Sequence, residues 1–427
     1  MISKTEGQKQ NIREFKKEAL KNLRDAGLSF CQAFCVIGCP MHQDNKSWLY
    51  NFRDGRIKEA LDHLLKFNPF PSSVSRVCPK FCEKETNQFC GAACLENSEN
   101  FQGSINSVEK YLGDWARKNL YKRYRESVFH KEKMAIIGAG PAGLACGYQL
   151  WHMGFPVTIF EKMEKPGGIL YFGISGERLP NEILLDEISL HLGDVEIKTG
   201  VEINAQNFEQ FASYDTVVIA TGYGSSRKLG IPGETLSGVL GSLEFLSALN
   251  LQTGLDIKEK EVLIIGGGET AIEAALTAIN FGGRAKIIYR KGPENLGVSN
   301  QTIASFKARG GEIEFYLIPR EIKKNDRSRF EIKFERFGQE RPETPDFILK
   351  EADFIVLAIG QTPQFESLPL QIREKIQNKD FEPLESAGIF IAGDLYYGQK
   401  NVCHAINSGN ETAGKIYDFI KNKGKLP

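Results

Sequence analysis

Between Met134 and Glu161 the hydrophobic pattern changes period twice. Met134–Ile137 is a short unbroken apolar run of strand type, Leu144–Met153 carries apolar residues at helical spacing, and Val157–Phe160 is apolar again up to Glu161. The turn between the first strand and the helix is Gly138-Ala139-Gly140-Pro141-Ala142-Gly143, and Gly154 stops the helix. The pattern predicts a β-turn-α-β unit around a G-x-G-x-x-G turn. Gly138 allows the tight turn, Gly140 lets a pyrophosphate approach the backbone, and Gly143 lets the helix pack close to the strand. The helix N-terminus offers free N–H groups and a partial positive charge to phosphates. Glu161, followed by Lys162, stands where a carboxylate accepts from both ribose hydroxyls of a dinucleotide.

The same pattern recurs downstream. Glu261–Ile265 reads as a strand, Gly266-Gly267-Gly268-Glu269-Thr270-Ala271 as a G-x-G-x-x-A turn, Ala271–Phe281 as a helix and Ala285–Tyr289 as the second strand. This strand ends in Arg290-Lys291 rather than an acid. An acid suits two free ribose hydroxyls, whereas a cationic pair suits a 2′-phosphate. The first unit therefore predicts FAD and the second NADPH, with NADH left open because such a pair can also be a solvated strand end. Further strands are expected at Val217–Ala220, at Asp353–Ile359 before Gly360, and at Gly388–Gly393 before Asp394; a closing helix is expected over Val402–Phe419. The first turn of that helix, with Val402, His404 and Ala405, would point N–H groups at a flavin ring. Pro166–Leu170 is a loop whose Gly168, beside Ile169, allows close backbone approach, and Arg178-Leu179-Pro180 opens another helix.

Toward the amino terminus, Asn11–Leu28 reads as an amphipathic helix, 45–67 as helical, and 101–133 as mostly helical and charged. The nine cysteines are uneven: Cys31, Cys35, Cys39, Cys78, Cys82, Cys90 and Cys94 crowd one region, and Cys146 and Cys403 read as core residues. In a reducing compartment such crowding argues for metal or cluster ligation over disulfides. Cys39-Pro40 and Cys78-Pro79 favour iron–sulfur ligation, with a zinc module or packed cysteines as the alternatives. No C-x-x-C occurs, which excludes the usual active-site dithiol of flavin disulfide reductases.

The chain has 427 residues, with 54 Lys plus Arg against 54 Asp plus Glu. Such a balance gives no net field for nucleic acid or an anionic membrane. The polar start lacks a secretory h-region, and no apolar run approaches the ~20 residues of a membrane helix, so the expected compartment is the cytoplasm.

Seven segments in order carry a resemblance: 68–79, 138–150, 167–180, 266–275, 289–292, 357–363 and 388–394. On these the chain resembles the NADPH-dependent FAD/iron–sulfur electron-input subunits, namely the glutamate synthase small subunit and the amino-terminal part of dihydropyrimidine dehydrogenase. The resemblance implies an α/β protein: a helical iron–sulfur domain (1–130), then two Rossmann-like three-layer domains. Of these, FAD binding would take 131–235 and 352–427, and NAD(P)H binding 236–351. It implies [4Fe-4S] ligation by Cys39, Cys78 and Cys90, with Glu109 as fourth ligand. For a second cluster the family's C-x2-C-x4-C-x3-C-P is C-x3-C-x3-C-P here, and its first two positions fall at Gly27 and Phe30. Cys35 and Cys94 match, and Cys31 and Cys82 are extra. The implied activity is hydride transfer from NADPH to FAD, followed by one-electron exit through the clusters to a catalytic partner subunit. No acid–base side chain is required for that transfer. Two other readings are a stand-alone reductase of a small acceptor and a non-catalytic redox sensor or assembly partner.

Overall fold

The computed structural model describes residues 39–78, 105–125, 128–298, 300–336 and 346–424. The expected helix at 11–28, and Cys31, Cys35, Cys82, Cys90 and Cys94, lie outside the described residues. The chain divides into two compact units. Of the described residues, one takes those up to Pro166, Asn181–Ala220 and those from Pro369 on; the other takes those of Gly167–Pro180 and Thr221–Leu368.

The first unit opens with four helices: α1 (Asn45–Arg53), α2 (Ile57–Leu64), α3 (Pro71–Val77) and α4 (Ile105–Lys118). Trp48, Leu61, Leu64, Leu65 and Leu112, all fully buried, form their core. The α3 and α4 backbones nearly touch, since a Cβ on Gly113 would lie 2.2 Å from the Ser72 amide nitrogen. The helical expectation for 101–133 is corrected: α4 ends at Lys118, and 119–125 and 128–133 are not helical. Leu120 takes a left-handed φ of 51°. The Tyr121 N–H then bonds back to the Ala116 carbonyl, a closure that stops a helix.

Next come β1 (Met134–Ile137), α5 (Pro141–His152), β2 (Val157–Phe160), α6 (Asn181–Leu192), β3 (Glu196–Lys198) and β4 (Thr216–Ile219). The second unit holds β5 (Tyr223–Ser226), β6 (Val239–Gly241), α7 (Ser242–Asn250), β7 (Glu261–Ile265), α8 (Glu269–Asn280), β8 (Arg284–Tyr289), α9 (Asn300–Ala308) and β9 (Glu312–Phe315). It continues through β10 (Leu317–Lys324), β11 (Phe330–Arg336), β12 (Asp346–Ala352), β13 (Phe354–Leu357) and β14 (Gln361–Pro363). The chain then returns to the first unit with α10 (Leu370–Gln377), β15 (Ile389–Ile391) and α11 (Val402–Asn422).

The first unit's sheet is ordered β15-β4-β1-β2-β3 and is parallel throughout. The second unit's main sheet, β6-β13-β7-β8-β9, is also parallel. Each is a Rossmann-type sheet with its glycine turn after the central strand, where ligands of open α/β sheets bind. Strands β10–β12 add an antiparallel sheet to the second unit. Phe330, Ile332 and Phe334 of β11 pack its inner face onto the parallel sheet. β14 pairs with β5 in a separate two-stranded sheet.

Candidate functional site

In the first unit the Gly138–Gly143 turn joins β1 to α5 as the sequence predicts. Gly138 has φ 106°. A Cβ on Gly143 would stand 1.9 Å from the Gly138 carbonyl oxygen, so only glycine lets the helix sit this low on the turn. A Cβ on Gly140 would meet nothing within 4 Å, so open space faces this residue at the head of the helix. Pro141 begins α5 without needing an N–H partner, and Ala142 follows it in the first turn. The buried Glu161 carboxylate accepts from Ala139 N–H at 2.7 Å and from Met163 N–H at 2.9 Å. A carboxylate has about four lone-pair sites, so two remain for ribose hydroxyls. Lys162 beside it is exposed.

Gly393 and Asp394 come from the far end of the chain to the same place. A Cβ on Gly393 would stand 2.9 Å from the Ala142 methyl, and Gly393 N–H donates to Ser408 Oγ of α11 at 2.8 Å. Burial pushes the Asp394 carboxyl up to about 6, opposed by the Lys400 N–H it accepts. α11 lies against α5 so closely that a Cβ on Gly409 would stand 2.2 Å from the Ala142 carbonyl oxygen. Its first turn holds Val402, His404 and Ala405, but the Asn401 side chain accepts from the Cys403 and His404 N–H groups. Only Val402, of the first three helix residues, keeps its N–H from that cap. Burial, then Lys400 and His42, hold the His404 imidazole below its ordinary range.

The second cradle is built alike. Gly266 has φ 150°, and a Cβ there would stand 2.2 Å from the Ala358 carbonyl oxygen. One on Gly267 would strike the Tyr289 ring at 2.5 Å, while Gly268 faces open space. Glu269 and Thr270 begin α8. Arg290 and Lys291 are exposed past the end of β8, and neither forms an ion pair among the described residues. Gly360, φ 110°, follows β13 beside Arg227, whose Nε donates to the Gln361 carbonyl. Sequence reasoning missed Arg227, because only the fold carries it to the carboxyl ends of these strands. Gly168 and Ile169 also belong to this unit, at a short helical turn over Ile169–Phe172. Arg178 is already engaged, its Nη1 on Glu273 at 3.0 Å, while Ser175 N–H donates to the other carboxylate oxygen at 2.8 Å.

Among the helices of the first unit, Cys39, Cys78 and Glu109 share one pocket. Burial pushes the Cys39 thiol up to about 12, opposed by the backbone N–H groups of Met41 and Gln43 and reinforced by Glu109 and Cys78. Glu109 Oε1 accepts from Gln43 at 3.1 Å and Asn68 at 2.8 Å, and Oε2 receives no hydrogen bond among the described residues. Burial holds this carboxyl above its ordinary range in spite of those bonds. Cys403 of α11 enters the same pocket, with its Sγ 3.5 Å from that of Cys78. Cys146 is fully buried in α5, as its reading as a core residue expects. No three described donors converge tightly enough to hold one metal ion. A cubane instead spreads its ligands over four irons, and two thiols with one carboxylate fit three of those corners.

A groove of about 540 Å³, lined by Arg125, Phe129, Trp151, Val157, Glu196 and Tyr214, lies at the amino-terminal edge of the first sheet. Nucleotides bind at the opposite edge, so it is not the cofactor site.

Two family descriptions match the chain: pyridine nucleotide-disulphide oxidoreductase over residues 132–409, and dihydropyrimidine dehydrogenase domain II, 4Fe-4S cluster, over 7–121. The glutamate synthase [NADPH] small chain of Halomonas elongata is 30% identical over 424 residues, covering 91% of this chain and 88% of that one. The NADP(+)-dependent formate dehydrogenase subunit beta of Moorella thermoacetica is 28% identical over 94% of this chain, which spans only 62% of that relative's length. FprA of Mycobacterium tuberculosis, solved in complex with NADPH, aligns with a TM-score of 0.57 at 17% identity over 69% of this chain and 87% of that one, a likeness of fold. No helix among the described residues is long and apolar enough to cross a membrane. By its double-cradle fold and by these matches, the chain belongs to the pyridine nucleotide-disulphide oxidoreductase family, with a segment of the 4Fe-4S domain type in front.

Proposed function

We propose that this chain is a cytoplasmic electron-input subunit that draws electrons from NADPH and delivers them through FAD and a [4Fe-4S] centre to a catalytic partner. The observation that carries this reading is the pocket of Cys39, Cys78 and Glu109 in the same unit as the first nucleotide cradle. Metal–sulfur centres move single electrons, so they serve an enzyme whose electrons leave for another site. Bound flavin supplies the conversion between paired and single electrons.

The residues then divide the work. Gly138, Gly140 and Gly143 admit the FAD pyrophosphate to the start of α5, Glu161 takes the ribose hydroxyls, and Asp394 takes the ribityl chain. The α11 dipole favours negative charge on the ring. Gly266–Gly268 and α8 receive the NADPH pyrophosphate, and Arg290 and Lys291 grip its 2′-phosphate. Cys39, Cys78, Cys90 and Glu109 hold the cluster. The matched relatives are named as a small chain and a beta subunit, which supports a partner here.

Purified chain should reduce an artificial one-electron dye with NADPH. It should not turn over glutamine with 2-oxoglutarate, nor uracil. Turnover of either by the chain alone would refute the need for a partner.

A further inference from the structure

Cys403 is the second residue of α11 and fully buried, and its Sγ lies 3.5 Å from that of Cys78 at the end of α3. Asn401 fixes this position by accepting the Cys403 N–H at 3.0 Å. Two ligands of one cubane do not stand so close, because each takes its own iron and a face of the cube separates their sulfurs. A thiol donating to a thiolate does.

We propose that Cys403 is not a cluster ligand but a thiol donor to the Cys78 sulfur, and that this S–H···S contact raises the reduction potential of the [4Fe-4S] centre. The proposal rests on the cluster reading above and adds a residue to it. A hydrogen bond to a ligand sulfur draws off negative charge, and the reduced cluster carries one more such charge, so it gains more than the oxidised one. The direction of donation is that of the contact itself, in which the Cys403 Sγ donates and the Cys78 Sγ accepts. Cys403 is also on the helix whose start faces the flavin in the proposed function. One side chain of that helix would then set how readily the cluster accepts an electron.

The test is an EPR-monitored reductive titration of Cys403→Val and Cys403→Ser against the parent, with iron and acid-labile sulfide measured on each. The expected result is equal iron and sulfide in all three. The midpoint of Cys403→Val should move to lower potential by about the 59 mV of a tenfold change for one electron. Cys403→Ser, which keeps a donor, should return toward the parent. Two results overturn the proposal alone: an unmoved midpoint in Cys403→Val, or iron lost from both variants while the parent keeps it, which would make Cys403 a ligand. A parent without iron or sulfide after anaerobic reconstitution overturns the cluster reading, and this proposal with it.

Discussion

Arg290 and Lys291 stand exposed beyond β8, and no ion pair among the described residues uses up their charge. Replacing both with alanine should raise the KM for NADPH by roughly 10- to 100-fold, the loss of about 1.5–3 kcal/mol of charge-assisted bonding. The KM for NADH should change little, and equal effects on both would make the pair a solvated strand end. His191 gives a different expectation. It is 5% exposed, and burial, then Lys122, pushes its imidazole down to about 3. The unfolded chain binds a proton at about 6.5, so this group's stabilisation is complete above that pH and is lost as pH falls toward 3. By pH 5 the loss is about 2 kcal/mol. Urea midpoints at pH 7 and 5 should therefore differ less in His191→Leu than in the parent; an identical acid drop would contradict the assignment.

The close crossing of α5 and α11 sets the first cradle, because Gly393, which lies against Ala142 of α5, is held by its N–H on Ser408 of α11. Gly409→Ala would place a methyl 2.2 Å from the Ala142 carbonyl. Overpacking of this kind costs roughly 1–3 kcal/mol, and it should also lower flavin retention through gel filtration. Unchanged stability and flavin content would show that the crossing is loose. The elements of both cradles were legible because glycines and hydrophobic period sit close together in sequence: β1, β2 and β7 fall where the pattern puts them. Strands β10–β12 were not legible. β11 does alternate, with Phe330, Ile332 and Phe334 inward and Glu331 and Lys333 between them. But Pro319 stands at a break in the register of β10, and β12 turns Phe347 and Leu349 outward, so the pattern does not run on through its neighbours. The site divides in the same way. Glu161 follows its glycine turn at a fixed spacing, whereas no spacing places Cys403 beside Cys78 or Arg227 beside Gly360.

Taken whole, the molecule has two units, each with a parallel sheet and a glycine turn, and one of them carries the thiol pocket as well. An enzyme that only moved electron pairs would need the two cradles and nothing more. The pocket of Cys39, Cys78 and Glu109 is thus the part that decides what kind of oxidoreductase this is. Anaerobic titration of the reconstituted protein with NADPH, read by visible absorbance and by EPR of frozen samples, addresses both halves at once. The flavin absorbance should bleach and a reduced iron–sulfur signal should grow in the same samples. Flavin absorbance unmoved by excess NADPH, or bleaching with no iron–sulfur signal even after dithionite, would contradict electron input through these sites.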